Sequence, residues 1–204
     1  MAMNYILFDD YSWDALLPLT FTRPTSEIRV GILTIKQKWE KYLQASCSYL
    51  TRDYLSEKYQ LNTENQNILL NGAVLPDQKL VEHVRELSND QALVYQDEII
   101  AANLTKEKIE DFRYKKIRDI DIIEYSRDVV KINHPWDSYI HNGNAMEDDF
   151  RLMTEGRQSE PISSTNNILG DRIFLEPGVK MEFATLNATR GPIYIGKDAE
   201  IMEG

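Results

Sequence analysis

Cysteine is nearly missing from this chain. Cys47 stands alone, so one chain can form neither a disulfide framework nor a cysteine-based metal site. A reducing cytoplasm is the expected location. The three histidines make poor ligands as well: His83 falls on the polar side of a helical pattern, and His134 and His141 lie two helical turns apart with no third donor nearby, which argues against zinc. No run approaches the ~20 apolar residues that span a bilayer. The opening MAMNYILFDD lacks the basic start and long apolar stretch of a signal peptide. Long basic runs are absent too. With 33 acidic against 23 basic side chains, the net charge of −10 repels polyanions, so neither nucleic acid nor an anionic membrane is an expected partner.

Apolar residues are plentiful enough, at 42% of 204, to bury a core without staples. The length suits one domain, or one plus a small appendage. Residues 5–8 form a short apolar run closed by Asp9 and Asp10, the pattern of a buried strand whose carboxyl end carries two acids. LLPLTFTRPTSEIRVG, residues 16–31, then reads as a loop with two arginines at its exit. From Gly31 onward Ile32, Ile35, Trp39, Tyr42 and Leu43 recur at helical spacing. Further strands are predicted over 48–50 and 67–70, with a short helix over 52–59. Asp77 caps a predicted helix that buries Leu80, Val81, Val84 and Leu87. A hairpin over 93–95 and 99–102 follows, then a helix within 105–112 and strands over 120–125 and 129–132. Pro135 opens a helix from about residue 136. Strands alternating with helices predict an α/β fold with a mostly parallel sheet covered on both faces.

The last residues behave differently. Ile173, Val179, Thr185, Ile195 and Ile201 step largely in sixes, with aliphatic positions expected to point inward, as in a short-period solenoid. Such coils are stable only when stacked. The chain stops at Gly204 in mid-pattern, as a piece of a longer protein would.

Several residues are placed for chemistry. Asp9 and Asp10 stand where open α/β sheets bind ligands and could hold a metal; a turn-capping pair is the other role that fits. Arg23 and Arg29 are candidate phosphate contacts, with salt bridges to Asp14 or Glu27 as the competing role. His134, Trp136 and Asp137 suit a sugar pocket, and equally a helix start with a buried tryptophan. Asp9, Asp10, Arg23 and Asn71 are expected to border one crevice beside the sheet.

Three separated features, PLTFTRP with Arg29 and Gly31 behind it, the phrase PWDSYIHNG, and the tail IFLEPGVKMEFATLN followed by GPIYIGKDAEI, resemble the sugar-1-phosphate nucleotidyltransferases. The likeness is greatest to members fused to a left-handed β-helix acyltransferase, such as the bifunctional uridylyltransferase/acetyltransferases. It implies a Rossmann-like domain over 1–167 and the first coils of a left-handed β-helix over 168–204. It also implies formation of an NDP-sugar from a nucleoside triphosphate and a sugar 1-phosphate with Mg²⁺. The alternative is a catalytically degenerate nucleotide- or sugar-binding domain that regulates or scaffolds the acyltransferase.

By the same resemblance Arg23 and Arg29 are the catalytic cations. Thr20, Asn71, Gly72, His134, Trp136 and Asn142 contact substrate, Asp9, Asp10 and Asp137 are the metal ligands, and the β-helix drives a full-length homotrimer. The sequence departs from the family pattern at three places. No glycine lies between Phe8 and Pro18, where the family has a glycine loop for the triphosphate. Thr25 falls where the family's catalytic lysine would stand, and Asn71-Gly72-Ala73 replaces a glycine-aspartate metal motif.

Overall fold

The computed structural model describes residues 3–114 and 118–203. They divide into two compact units, residues 1–141 and 142–204. In the first, β1 (Asn4–Phe8) is buried along four of its five residues, which its unbroken apolar run requires of a strand covered on both faces. It is followed by α1 (Ser12–Ala15) and a 3-10 turn at Thr25–Glu27, so the expected loop is locally ordered. An antiparallel bridge between Arg29 and Thr34 takes up Ile32, and α2 (Ile35–Leu43) starts later than the apolar spacing predicts. The start is set by chemistry at Thr34: its hydroxyl accepts the Gln37 N–H while the Gln37 side chain accepts the Thr34 N–H, a reciprocal capping box. Trp39 on α2 is fully buried, and its Nε1–H donates to the Val74 carbonyl at 3.1 Å.

β2 (Cys47–Leu50) and β3 (Gln66–Asn71) pair in parallel with β1 on either side. The helix expected over 52–59 is reduced to a single 3-10 turn at Asp53–Leu55. After β3 come β4 (Val74–Leu75) and α3 (Gln78–Glu86). Asp77 caps α3 as expected, accepting the Leu80 N–H at 2.7 Å. β5 (Gln91–Tyr95) and β6 (Glu98–Thr105) form the predicted hairpin, its turn residues Gln96 and Asp97 both at positive φ, the twist that two-residue hairpins favour. α4 (Lys106–Arg113), β7 (Asp121–Glu124), β8 (Val130–Lys131) and α5 (Pro135–Ile140) complete the unit.

The sheet runs β2-β1-β3-β6-β5-β7. β1–β2, β1–β3 and β5–β7 are parallel, while β6 lies antiparallel to both β3 and β5. The expected mostly parallel sheet is therefore observed, with one reversed strand supplied by the hairpin. On one face Ile6, Phe8, Leu50, Leu69, Ala102, Leu104 and Ile109 form a core that also takes in Phe112. The rings of Phe8 and Phe112 meet edge to face at 4.9 Å.

The second unit contains α6 (Asn142–Thr154), β9 (Asn167–Leu169), β10 (Ile173–Leu175), β11 (Lys180–Met181), β12 (Thr185–Asn187), β13 (Ile193–Ile195) and β14 (Glu200–Ile201). Its strands pair in parallel, β9 with β12, β10 with β13 and β11 with β14, so each stretch lies on the corresponding stretch of the next turn. Leu175, Met181, Ala184 and Ile195 fill the interior, with Ile173, Val179 and Ile201 packed against them. Thr185, expected inside, is exposed, and its neighbours Ala184 and Leu186 face inward instead. Gly178 sits at φ +84 with Asp198 pressed against it. Asp198 itself, at φ 57, holds the matching turn position, so only a glycine or a residue tolerant of left-handed backbone fits there.

Candidate active site

The chain leaves β1 at Phe8 and turns at once toward α1, which delivers Asp9 and Asp10 to the carboxyl edge of the sheet. Asp9 holds neighbouring segments together. Its Oδ1 accepts the Thr25 N–H at 2.9 Å and its Oδ2 accepts the Thr51 hydroxyl at 2.5 Å. Burial pushes its carboxyl up to about 6, against those Thr51 and Thr25 donors, which favour the charged form.

Asp10 lies in a different field. Its Oδ1 accepts the Ser12 N–H at 2.8 Å; its Oδ2 accepts from Asn71 Nδ2 at 2.9 Å and stands 2.6 Å from Lys131 Nζ. Burial works to raise this carboxyl too, but the Lys131, Asn71 and Ser12 donors outweigh it and the net shift is downward. Lys131 also reaches Glu98 Oε2 at 2.5 Å, and its ammonium lies 4.2 Å from the centre of the Tyr11 ring. Burial lowers the ammonium's hold on its proton, and the two carboxylates more than restore it. The Tyr11 hydroxyl donates to Glu98 Oε1 at 2.5 Å, and the Ser12 hydroxyl donates to Asn133 Oδ1 at 2.9 Å.

Beside these acids opens a cavity of about 410 Å³. Phe8, Leu50, Ile99 and Phe112 give it apolar surface, while Asp9, Asp10, Thr51, Arg52 and Arg113 give it polar surface, with Asp97 and Glu98 from the hairpin. Arg52 lies over the Trp13 ring at 4.7 Å and pairs with Asp14; Arg113 pairs with Asp53 at 3.0 Å. Each of these two arginines nevertheless keeps a buried Nε–H with no acceptor among the described residues.

The sequence-predicted residues fall into three groups. Asp9 and Asp10 line the cavity, and Asn71, almost fully buried, supports Asp10 from behind. Gly72 is needed for a close approach. Its N–H donates to the Phe8 carbonyl at 2.9 Å, and a Cβ there would stand 3.0 Å from that oxygen and 3.4 Å from Ser26 Cβ.

A second group lies in the loop over residues 16–31. Arg23 does not line the cavity; its side chain is exposed, and the Trp13 indole donates to its carbonyl at 3.2 Å. Both acids that could have paired with it are engaged elsewhere, Asp14 with Arg52 and Glu27 with the Tyr49 hydroxyl. Arg29 donates to the Ile32 carbonyl within its own turn. Thr20 is fully buried, its hydroxyl on the Trp13 carbonyl at 2.6 Å.

The third group lies around α5. His134 and Trp136 stack at 4.6 Å, and Trp136 is 60% exposed, so it does not anchor the helix by burial. Asp137 Oδ2 accepts the N–H of Asn133 at 2.9 Å and of His134 at 2.8 Å, which caps the helix start. Asn142 opens α6 in the second unit, its amide 3.5 Å from Met146 Sδ.

Sequence reasoning missed Arg52, Arg113, Glu98 and Lys131. Arg52 carried a usable signal, since it follows the second strand as Asp9 and Asp10 follow the first. Lys131 carried none, because its approach to Asp10 depends on the long-range pairing of Val74 with Lys131.

A family model described as sugar nucleotidyl transferase matches residues 5–158. The chain belongs to this family. Among solved structures, a glucose-1-phosphate thymidylyltransferase of Bacillus anthracis, in complex with a sucrose, is similar over 72% of this chain and 96% of that one, at 12% identity and a TM-score of 0.44. No curated protein matches the chain significantly. Members of this family generally use Mg²⁺, and the residues present can be tested for a fit. Mg²⁺ needs near-octahedral oxygen ligands at about 2.1 Å. Here both oxygens of Asp9 and of Asp10 already accept protein donors, an ammonium stands against Asp10, and Asp137 caps a helix. No group of three His, Cys, Asp or Glu side chains is arranged to hold a metal among the described residues. The donor set does not fit a resident metal ion.

Proposed function

We propose that the chain is a sugar-1-phosphate nucleotidyltransferase domain that forms an NDP-sugar. A phosphate oxygen of the sugar 1-phosphate attacks the α-phosphorus of a nucleoside triphosphate, the bond from that phosphorus to the bridging oxygen breaks, and pyrophosphate leaves. The observation that carries this reading is the pair Arg52 and Arg113. Both line the cavity at the sheet's carboxyl edge, and each keeps an orphaned Nε–H, which a phosphate oxygen would satisfy with a charge-assisted bond. Arg23, exposed within the loop over residues 16–31, is free to add a further phosphate contact. Arg29 gives one donor to the Ile32 carbonyl and, being exposed, keeps others for the same purpose. The acids of the cavity wall suit the hydroxyls of a sugar.

A second reading has its own support: a binding domain without turnover, which regulates or scaffolds a fused acyltransferase. The absence of glycine between Phe8 and Pro18 and the engagement of every Asp9 and Asp10 oxygen by a protein donor favour it. In either reading we take residues 1–167 as a nucleotidyltransferase-like domain and 168–204 as the first coils of a left-handed β-helix, through which a longer protein would form a homotrimer. The parallel pairing of β9–β12, β10–β13 and β11–β14 supports the helix.

Pyrophosphate release separates the two readings. The purified chain is incubated with each nucleoside triphosphate, Mg²⁺ and a panel of sugar 1-phosphates. Turnover with one pair, lost in Arg52→Ala, supports the enzyme; silence across the panel, with nucleotide still bound by calorimetry, supports the binding domain.

A further inference from the structure

We infer that the Lys131 ammonium takes the place of a divalent cation at the carboxyl end of β1, so that the two acids at this edge of the sheet are bridged by a built-in side-chain cation instead of a metal. The argument rests on how the acids are held. Asp10 comes from the end of β1 and Glu98 from the start of β6, two strands separated in the sheet by β3. Each turns one oxygen to the same Nζ, at 2.6 and 2.5 Å. The opposite oxygens are pinned, Asp10 Oδ1 by the Ser12 N–H and Glu98 Oε1 by the Tyr11 hydroxyl, which fixes the direction of both carboxylates. The third side of the ammonium meets the face of the Tyr11 ring at 4.2 Å, an electrostatically favourable contact. Two carboxylate contacts and one ring face account for the three N–H donors of a lysine.

A metal at this point would have to displace Lys131, because the ammonium already sits at hydrogen-bond distance from both acids. Displacement is opposed by burial. The Lys131 side chain is only 9% exposed, and moving it out would strand its two partners and reorganise the β4–β8 pairing that carries it. Asn71, the remaining polar group on Asp10 Oδ2, brings a neutral amide, so one unit of positive charge neutralises one of the two acids and the cluster keeps a net charge of about −1 at neutral pH.

The inference does not depend on nucleotidyl transfer and is tested without substrate. Mn²⁺ alone is titrated into the wild-type chain and into Lys131→Met and Lys131→Arg, with free Mn²⁺ followed by electron paramagnetic resonance. The wild type and Lys131→Arg are expected to show no specific site. Lys131→Met is expected to bind Mn²⁺ at least about tenfold more tightly, as removal of a charge from a partly buried pair implies, and to lose that binding when Asp10→Asn is added. A wild-type Mn²⁺ site that Asp10→Asn abolishes would overturn the inference, and that measurement needs no folded Lys131 variant. A folded Lys131→Met chain that gains no site overturns it too.

Discussion

Asp9 and Asp10 are adjacent in sequence, yet the fold drives their acidities apart. Asp9 titrates near 6 in the folded chain and at about 3.9 when unfolded. Between those values the folded state keeps a proton that the unfolded chain has released. Asp9 therefore contributes more stability as pH falls from about 7 toward 4, on the order of 3 kcal/mol in total. Asp10 works in the opposite sense: its lowered carboxyl stabilises the fold above about pH 4 and loses that contribution in stronger acid. Asp9→Asn is expected to remove the first effect alone. Thermal unfolding from pH 7.5 to pH 5 should show the wild type gaining stability relative to the variant as the pH drops; a constant difference would mean that Asp9 is not held in a raised state. At this scale the sequence was only partly legible. Two acids after a buried strand pointed to the right edge of the sheet, but nothing local distinguished the acid facing Thr25 and Thr51 from the acid facing Lys131. Long-range pairing created that difference.

Elements were the most legible, because their ends are local chemistry. Thr34 with Gln37 and Asp77 with Leu80 place the starts of α2 and α3, and both signals can be read from neighbouring residues. Replacing either cap by alanine is expected to cost about 1 kcal/mol, measurable as a lower urea midpoint with an unchanged denaturant slope. Misreadings arose where tertiary contacts override spacing. Ile32 fits the periodicity of α2 but is drawn into the Arg29–Thr34 turn. The segment after β2 has helical spacing, yet it folds as a 3-10 turn whose Asp53 pairs with Arg113 of α4. In the second unit, counting in sixes predicted Thr185 inside, while the strand alternation puts Ala184 and Leu186 there.

For the whole molecule, all strands of the large sheet and every residue lining the cavity lie within the first unit. A chain ending at residue 167 is accordingly expected to unfold cooperatively and to bind the same ligand with unchanged affinity, as judged by circular dichroism and calorimetry. Loss of the fold on this truncation would show that residues 168–204 are part of the domain's core. The α/β class and the mostly parallel sheet were readable from alternating elements. The reversed strand β6 was implied by the hairpin alone, and the gathering of Arg52, Arg113 and Glu98 around one cavity was not readable, since they come from the turn after β2, from α4 and from β6 by way of the sheet order. The central claim is that this cavity holds the phosphates of a nucleotide or nucleotide sugar. Titration calorimetry of nucleoside triphosphates and NDP-sugars into the wild type, Arg52→Ala and Arg113→Ala tests it most directly. The predicted result is a ligand bound by the wild type and held at least about tenfold more weakly by each variant. No binding to the wild type, or equal binding to all three proteins, would contradict it.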